Sequence, residues 1–318
     1  MKLFFSGMFS GINHWKKETG IWEQVIRACP WRLQSCYPGY MRSTHLWAAA
    51  ACDQVPGQIE MMMDSGAFTA WGKKEVIKLD DLMRAYDDLI EKYESRLKAI
   101  WLINLDVIPG SRGVTAEKAE IEEAMIQSDA NFEILQKRYG HRVLPVYHQN
   151  EPVAQLHRIA ASADYICVSP RNDLPEGDRI RWSLEVHDLI PGKKTHGLAT
   201  TGRNMLTRVP WHSADSASWI FCGANGGIMV LVGNKFKIVS ISSMNPKSME
   251  ADGHYDTLPR AMQEVIEARV ALHGMTIEQL RDPKGYGWRM IFNAREIVTF
   301  CSELELDPPK QQESLFEL

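Results

Sequence analysis

The sequence predicts an α/β protein of the (β/α)8 barrel (TIM barrel) class, with a β-hairpin insertion and a C-terminal helical extension. Three observations carry that prediction. Short apolar runs alternate with amphipathic runs along most of the chain, the rhythm of parallel strands joined by helices. Several of the apolar runs end abruptly in Asp, Asn, His, Ser or Gly, as barrel strands do where they open into loops. The chain has 318 residues, enough for one barrel of about 250 residues with insertions.

The elements follow in order. Lys2–Ser6 (KLFFS) reads as the first strand and Trp22–Cys29 as a helix. Met61–Asp64 ends a second clear strand. Leu79–Tyr93 spaces its apolar residues helically among many charges, which marks a surface helix. Ala99–Val107 (AIWLINLDV) is a continuous apolar run with a polar end, as expected for a strand buried on both faces. Ala116–Tyr139 reads as a long helix, Arg142–Tyr147 (RVLPVY) as a strand and Pro152–Ala161 as a helix. Tyr165–Val168 and Thr195–Leu198 read as strands flanking a helix over Ile180–Ile190. Arg203–Val209 reads as a short helix before a last strand, Ser213–Ser216. Beyond Ser218, Gly226–Ile241 reads as a β-hairpin turning at Gly233-Asn234. Asn245–His254 is a polar loop; Leu258–His273, Ile277–Leu280 and Trp288–Leu304 are helical. The expected organisation is a barrel over 1–244 that includes the hairpin 226–241, a helical extension over 245–306 and a flexible tail over 307–318.

Composition narrows the function classes. Apolar residues make up 45% and charged residues 24%, the balance of a globular chain with a large core. The formal net charge of -4 argues against binding nucleic acid through bulk charge, so any such contact needs a local basic patch. None of the six cysteines forms a C-x-x-C pair, and Cys167 and Cys222 lie in the apolar runs YICVSP and WIFCG. Reduced, buried thiols and no bound metal are the expectation. The N-terminus lacks the apolar length of a signal peptide and no stretch approaches a membrane span, which predicts a cytoplasmic protein without membrane contact.

The chemistry is expected where strands end. The polar strand ends are Asp64-Ser65-Gly66, Asn104 with Asp106, His148-Gln149-Asn150, Ser169-Pro170, His196-Gly197 and Asp215-Ser216. Any one of them alone reads equally well as a helix cap; their recurrence in successive units lifts the signal. Met61–Trp71 reads MMMDSGAFTAW, a turn that presents a carboxylate, a hydroxyl and backbone N–H groups together. Ser213–Trp219 reads SADSASW, an aspartate among small residues that let a ligand come close. Two carboxylates facing one pocket suit double displacement at a sugar carbon, one as nucleophile and one as acid/base.

These residues resemble the tRNA-guanine transglycosylase superfamily. MDSGAFTAW is similar to its D-S-G-G-F signature, and more closely to the D-S-G-A-F variant of relatives, encoded by phages and bacterial genomic islands, that install 7-deazaguanine bases in DNA. The resemblance continues in order through Asp106, Pro145-Val146-Tyr147-His148, Tyr165–Ser169, Ser213-Ala214-Asp215 and the hairpin, covering roughly Lys2 to Ile241. The chain departs from the tRNA enzymes in three places. It has no C-x-C-x-x-C…H zinc cluster after the hairpin, His148 with Gln149 stands near the base-binding glutamine, and Cys167-Val168-Ser169 replaces a glycine-rich strand.

The resemblance implies a pentosyltransferase that exchanges guanine in DNA for a 7-deazaguanine base of the preQ0 type, with no cofactor. Asp215 is the implied nucleophile and Asp64 the acid/base group. Asp106 is the implied reader of the base edge, with Ser65, Gly66, Phe68, His148, Gln149, Ser169, His196 and Gly197 around the base. The implied partners are a flipped-out or single-stranded guanine in DNA and a free 7-deazaguanine base, in the host cytoplasm if the protein is phage-encoded. Phosphate contacts are expected from Lys193, Lys194, Arg203 and Arg208 around the His196–Thr201 loop and from Lys235 and Lys237 on the hairpin, although each reads equally well as a solvated charge. Two alternatives stay open, a zinc-less tRNA-guanine transglycosylase and a catalytically idle nucleic-acid-binding barrel. An unrelated barrel glycosidase or lyase is a further one.

Overall fold

In a computed structural model of the chain, residues 1–7, 20–110, 116–200, 202–233, 235–244 and 253–306 are described. The expected tail over 307–318 and most of the expected loop after residue 244 lie outside them.

The core is one parallel sheet curled into a barrel. Its strands are β1 (Lys2–Phe5), β2 (Trp31–Ser35), β3 (Glu60–Asp64), β4 (Ala99–Ile103), β5 (Val143–Leu144), β6 (Val146–His148), β7 (Tyr165–Ser169), β8 (Lys194–Gly197) and β9 (Ser213–Ser216). They lie in the order β5-β4-β3-β2-β1-β9-β8-β7-β6. The two end strands are separated in sequence by Pro145 alone, so they are two halves of one staff, and the nine strands make an eight-staff barrel. Proline has no N–H for the ladder, so the staff breaks there. Its lower half pairs with β4 and its upper half with β7. The break still leaves acceptors on both flanks: Leu144 O takes the Asn104 N–H at 2.9 Å and Pro145 O takes the Cys167 N–H at 2.8 Å.

Around the barrel run α1 (Ile21–Ala28), α2 (Met41–Gln54), α3 (Ala67–Lys73), α4 (Leu79–Tyr93), α5 (Lys118–Tyr139), α6 (Val153–Ser162), α7 (Glu176–Leu189), α8 (Arg203–Arg208) and α9 (Ser218–Ala224). The predicted strands and helices appear within a few residues of their expected bounds, apart from the strand over Ala99–Val107, which stops at Ile103. Four elements were not expected: β2, α2, α3 and α9. The strand WRLQS hides because its polar residues are buried as completely as its apolar ones. Arg32 and Gln34 are 0% and 1% exposed, and the Arg32 guanidinium donates to the carbonyls of Phe5 and Gly7 while lying 4.3 Å over the Trp47 ring. A buried arginine that ties β2 to the end of β1 removes the apolar signature on which strand recognition depends.

The barrel lumen is filled by Phe4, Met62, Ile103, Leu144, Val146, Tyr165 and Cys167. This plug closes the barrel as a pore and leaves the strand C-termini as a floor for a site.

The hairpin is β10 (Gly227–Val232) with β11 (Lys235–Ser240), antiparallel. The C-terminal helices are α10 (Arg260–Leu272), α11 (Ile277–Arg281) and α12 (Tyr286–Leu306). α12 is no loose appendage: Ile291, Phe292, Ile297 and Phe300 share one buried cluster with Leu3, Phe5, Val25 and Trp219. Its polar residues serve the hairpin. Asn293 Oδ1 accepts the Met229 N–H at 2.7 Å and Glu296 Oε2 accepts the Leu231 N–H at 2.6 Å. Five of the cysteines are buried, Cys222 is half-buried, and all six are free thiols. Among the described residues no helix is long and apolar enough to cross a membrane.

Candidate active site

The Asp-Ser-Gly turn is built by its glycine. Gly66 caps α3 at φ +87°, a left-handed conformation that side chains disfavour. A Cβ there would also stand 2.8 Å from the backbone of Tyr37. The turn therefore closes tightly over β3, and the Gly66 N–H donates to Asp64 Oδ2 at 3.1 Å. Ser65 is fully buried, and its hydroxyl accepts the Ala67 N–H at 3.4 Å. It caps the turn instead of facing the open site, which corrects its expected place at the base.

Three carboxyl groups converge above the plug. Burial pushes the Asp64 carboxyl up to about 7, with the nearby charges of Asp106 and Asp215 pushing the same way against hydrogen bonds from Ser35 and Gly66. Asp106 is 9% exposed, and its Oδ2 stands 2.9 Å from His148 Nε2. Burial acts to lower the His148 pKa, but the hydrogen bond and charge of Asp106, with Glu151, raise it overall. One oxygen of Asp106, the implied reader of the base edge, thus already has a partner.

Asp215 is the penultimate residue of β9, with its side chain 14% exposed. Its Oδ1 accepts the Ala199 N–H at 2.9 Å. Ala199 adopts φ +51°, a left-handed conformation rare for a non-glycine residue. The strain fixes the loop after β8 so that this N–H meets the carboxylate. His196 lies fully buried below, with Nε2 3.6 Å from Asp215 Oδ1. Gly197 is there for packing: a Cβ on it would stand 2.2 Å from Thr200 Oγ1.

At His148, the partner of Asp106, opens a cavity of about 520 Å³ lined also by Phe68, Trp71, Gln149, Glu151, Ser169 and Arg171. Phe68 is 64% exposed and stands 5.7 Å from Trp71, ring centre to ring centre, an aromatic lip at the rim. Gln149 Oε1 accepts the Arg171 N–H at 2.8 Å, which pins the two loops that form the far wall. A neighbouring cavity of about 440 Å³ reaches Asp106 from the α3 side and shares Trp71 and Ile108.

The expected basic patch divides. Lys194 is the first residue of β8 and Lys193 precedes it, paired at 2.7 Å with Asp164 at the foot of β7. Strand direction puts both at the N-terminal mouth, about 10 Å from Gly197 at roughly 3.3 Å per residue. They do not surround the His196–Thr201 loop as expected. Lys235 and Lys237 stand on β11, whose partner β10 packs against α9 and α12. Arg208 is exposed at the end of α8, and the Arg203 side chain lies outside the described residues.

The sequence reading missed several residues at the correct mouth. Glu151, three residues past His148, accepts the His148 N–H at 3.2 Å, and burial pushes its carboxyl up to about 7. Arg171 lines the large cavity. Lys73 lies 4.3 Å over the Tyr37 ring and donates to the Tyr37 hydroxyl at 3.0 Å. Glu151 and Arg171 follow strand ends by two or three residues, so reading the loops beyond each strand end would have found them; Lys73 closes the helix after β3 and carries no such signal.

No protein-family model matches the chain, and no curated protein matches it. A crystal structure from Coccidioides immitis, described as a dihydrodipicolinate synthase family protein, aligns over 98% of this chain and 89% of its own, at 11% identity and a TM-score of 0.43. The site is therefore read from its own geometry.

Proposed function

We propose that the chain is an enzyme, a transglycosylase that exchanges guanine in DNA for a 7-deazaguanine base by double displacement. The observation that carries this reading is the convergence of Asp64, Asp106 and Asp215, with the Asp64 carboxyl raised to about 7. A carboxyl near 7 is suited to give a proton in one half-reaction and take one in the next. In the first half, an oxygen of ionised Asp215 bonds to C1′ and the C1′–N bond breaks. Its electron pair leaves with guanine, which takes the proton of Asp64. In the second half, Asp64 accepts a ring N–H proton from the incoming base. That nitrogen bonds to C1′ and the ester bond to Asp215 breaks, restoring the carboxylate.

The cavity bordered by Phe68, Gln149 and Ser169 receives the base in this reading. Asp106, held by His148, offers its remaining oxygen to the base edge. A site built to hydrogen-bond an edge discriminates strongly against one that leaves its groups unpaired. The base must leave the stack to arrive there, at a cost of a few kcal/mol, and the exposed Phe68–Trp71 lip gives it an aromatic surface to meet.

The test is incorporation of labelled guanine into duplex DNA, single-stranded DNA or tRNA. Label in DNA that disappears with Asp215→Asn is the expected result. Label in tRNA alone moves the assignment to the tRNA enzymes, and label in no polymer removes the transglycosylase reading.

A further inference from the structure

A hydrogen-bonded chain runs from beneath Asp215 into the barrel. His196 Nδ1 stands 2.6 Å from Ser213 Oγ, its neighbour across the β8–β9 ladder. Ser213 Oγ is in turn 2.5 Å from the Tyr165 hydroxyl. The Phe4 ring meets the imidazole edge to face at 5.7 Å and holds it upright. The other ring nitrogen, Nε2, is buried without a hydrogen-bond partner and stands 3.6 Å from Asp215 Oδ1.

For a neutral ring, two proton orderings satisfy this chain. In one, Tyr165 donates to Ser213, Ser213 donates to Nδ1, and the ring proton sits on Nε2 facing Asp215. In the other, Nδ1 donates to Ser213, which either donates to Tyr165 or accepts from it as well, and a lone pair on Nε2 faces the carboxylate. A lone pair against an ionised carboxylate is repulsive, whereas an N–H against it is attractive and strengthens in a buried setting. We infer that His196 is a positioning residue with its proton on Nε2, set there by Ser213 and Tyr165. With the Ala199 N–H, at 2.9 Å, it holds Asp215 Oδ1 and leaves Oδ2 as the attacking oxygen. The proton placement stands on the geometry alone; the role of Oδ2 rests on the transglycosylase reading. Oδ2 then bonds to C1′ as the C1′–N bond breaks toward the departing base, while Oδ1 stays held by the Ala199 N–H and faced by the Nε2 proton.

Long-range proton–nitrogen NMR of the wild-type protein reads the placement without any assay of activity. A proton on Nε2 and a bare Nδ1 are expected; a proton on Nδ1, alone or in addition, overturns the relay. Asp215→Asn should move the Nε2–H resonance, and an unmoved resonance overturns the contact. In the exchange assay, Ser213→Ala and the more conservative Tyr165→Phe should lower kcat while leaving KM for the base unchanged. The expected loss for Ser213→Ala is about 3- to 10-fold, the rate equivalent of the one neutral hydrogen bond removed. An unchanged kcat in both variants, or a change in KM alone, overturns the positioning role. If the spectra are as expected but no nucleic acid is labelled, the His196–Asp215 couple stands and only the sugar chemistry assigned to Oδ2 falls.

Discussion

Asp64 is placed where a carboxylate is least comfortable, buried and facing two further acids, and its carboxyl is raised from 3.8 to about 7. The folded state therefore holds this proton more tightly than the unfolded state, and folding loses stability as pH rises from near 4 through 7. Asp64→Asn removes that penalty. The variant should be inactive yet melt higher than wild type at pH 8, on a scale of roughly 2–4 °C per kcal/mol recovered, and the gain should vanish as pH falls toward 4. Thermal melts of both proteins across that range check it; a destabilised variant at pH 8 would mean that the carboxylate is better supported than its surroundings imply. Gly66 two residues on makes the opposite case, a residue chosen for what it lacks. Gly66→Ala combines a left-handed φ, at about 1–2 kcal/mol for an L-residue, with a Cβ pressed into the Tyr37 backbone. Urea unfolding should show at least that loss, and an unchanged midpoint would refute the tight closure of this turn.

At the scale of elements, the long amphipathic helices and the apolar strands were legible because burial there follows hydrophobicity. Leu79–Tyr93 matches its helix in both bounds, and MMMDSGAF showed both a strand and its polar end. Legibility failed where buried polar residues do structural work. β2 disappeared behind Arg32 and Gln34, and α12 read as an amphipathic extension although Arg289, Asn293 and Glu296 are each at most 1% exposed. Of the candidate site, the acids Asp64, Asp106 and Asp215 and the flanking His148 were visible as strand ends. The His148–Asp106 pairing, the strained Ala199 and the far-wall Arg171 depend on loops whose paths no local pattern encodes. Glu296 shows how much such residues carry. It accepts the Leu231 N–H and bonds Arg269 at 2.7 Å and His273 at 2.5 Å. Burial works to raise its carboxyl, and those partners together hold it below the usual carboxylate range. Glu296→Ala leaves a half-buried guanidinium and a backbone N–H without their acceptor, and should cost about 3–5 kcal/mol. Denaturant unfolding tests it; a loss below about 1 kcal/mol would show that the hairpin does not lean on α12.

For the molecule as a whole, the two mouths of the barrel differ in what they can bind. The N-terminal mouth holds Lys2, Lys193 and Lys194, but Lys2 is tied to Glu60 at 2.8 Å and Lys193 to Asp164 at 2.7 Å. Among the described residues, the mouth with the acids offers Lys73 and Arg171, and Arg171 already shares its charge with Asp173. On a chain of net charge -4 this is a thin basic surface. If DNA docks at the acid-bearing mouth, it releases few counterions, and each phosphate contact contributes a slope of about -0.9 to log K against log salt. These two cations account for a slope of about -2, with further affinity drawn from the flipped base and the Phe68–Trp71 lip. Removing Lys73 or Arg171 should flatten the slope by about one unit, while Lys193→Ala and Lys194→Ala should leave it unchanged. Binding isotherms at a series of salt concentrations decide between the mouths. A slope that responds to Lys193 and Lys194 but not to Lys73 or Arg171 would place the nucleic acid on the other end of the barrel, away from the three acids.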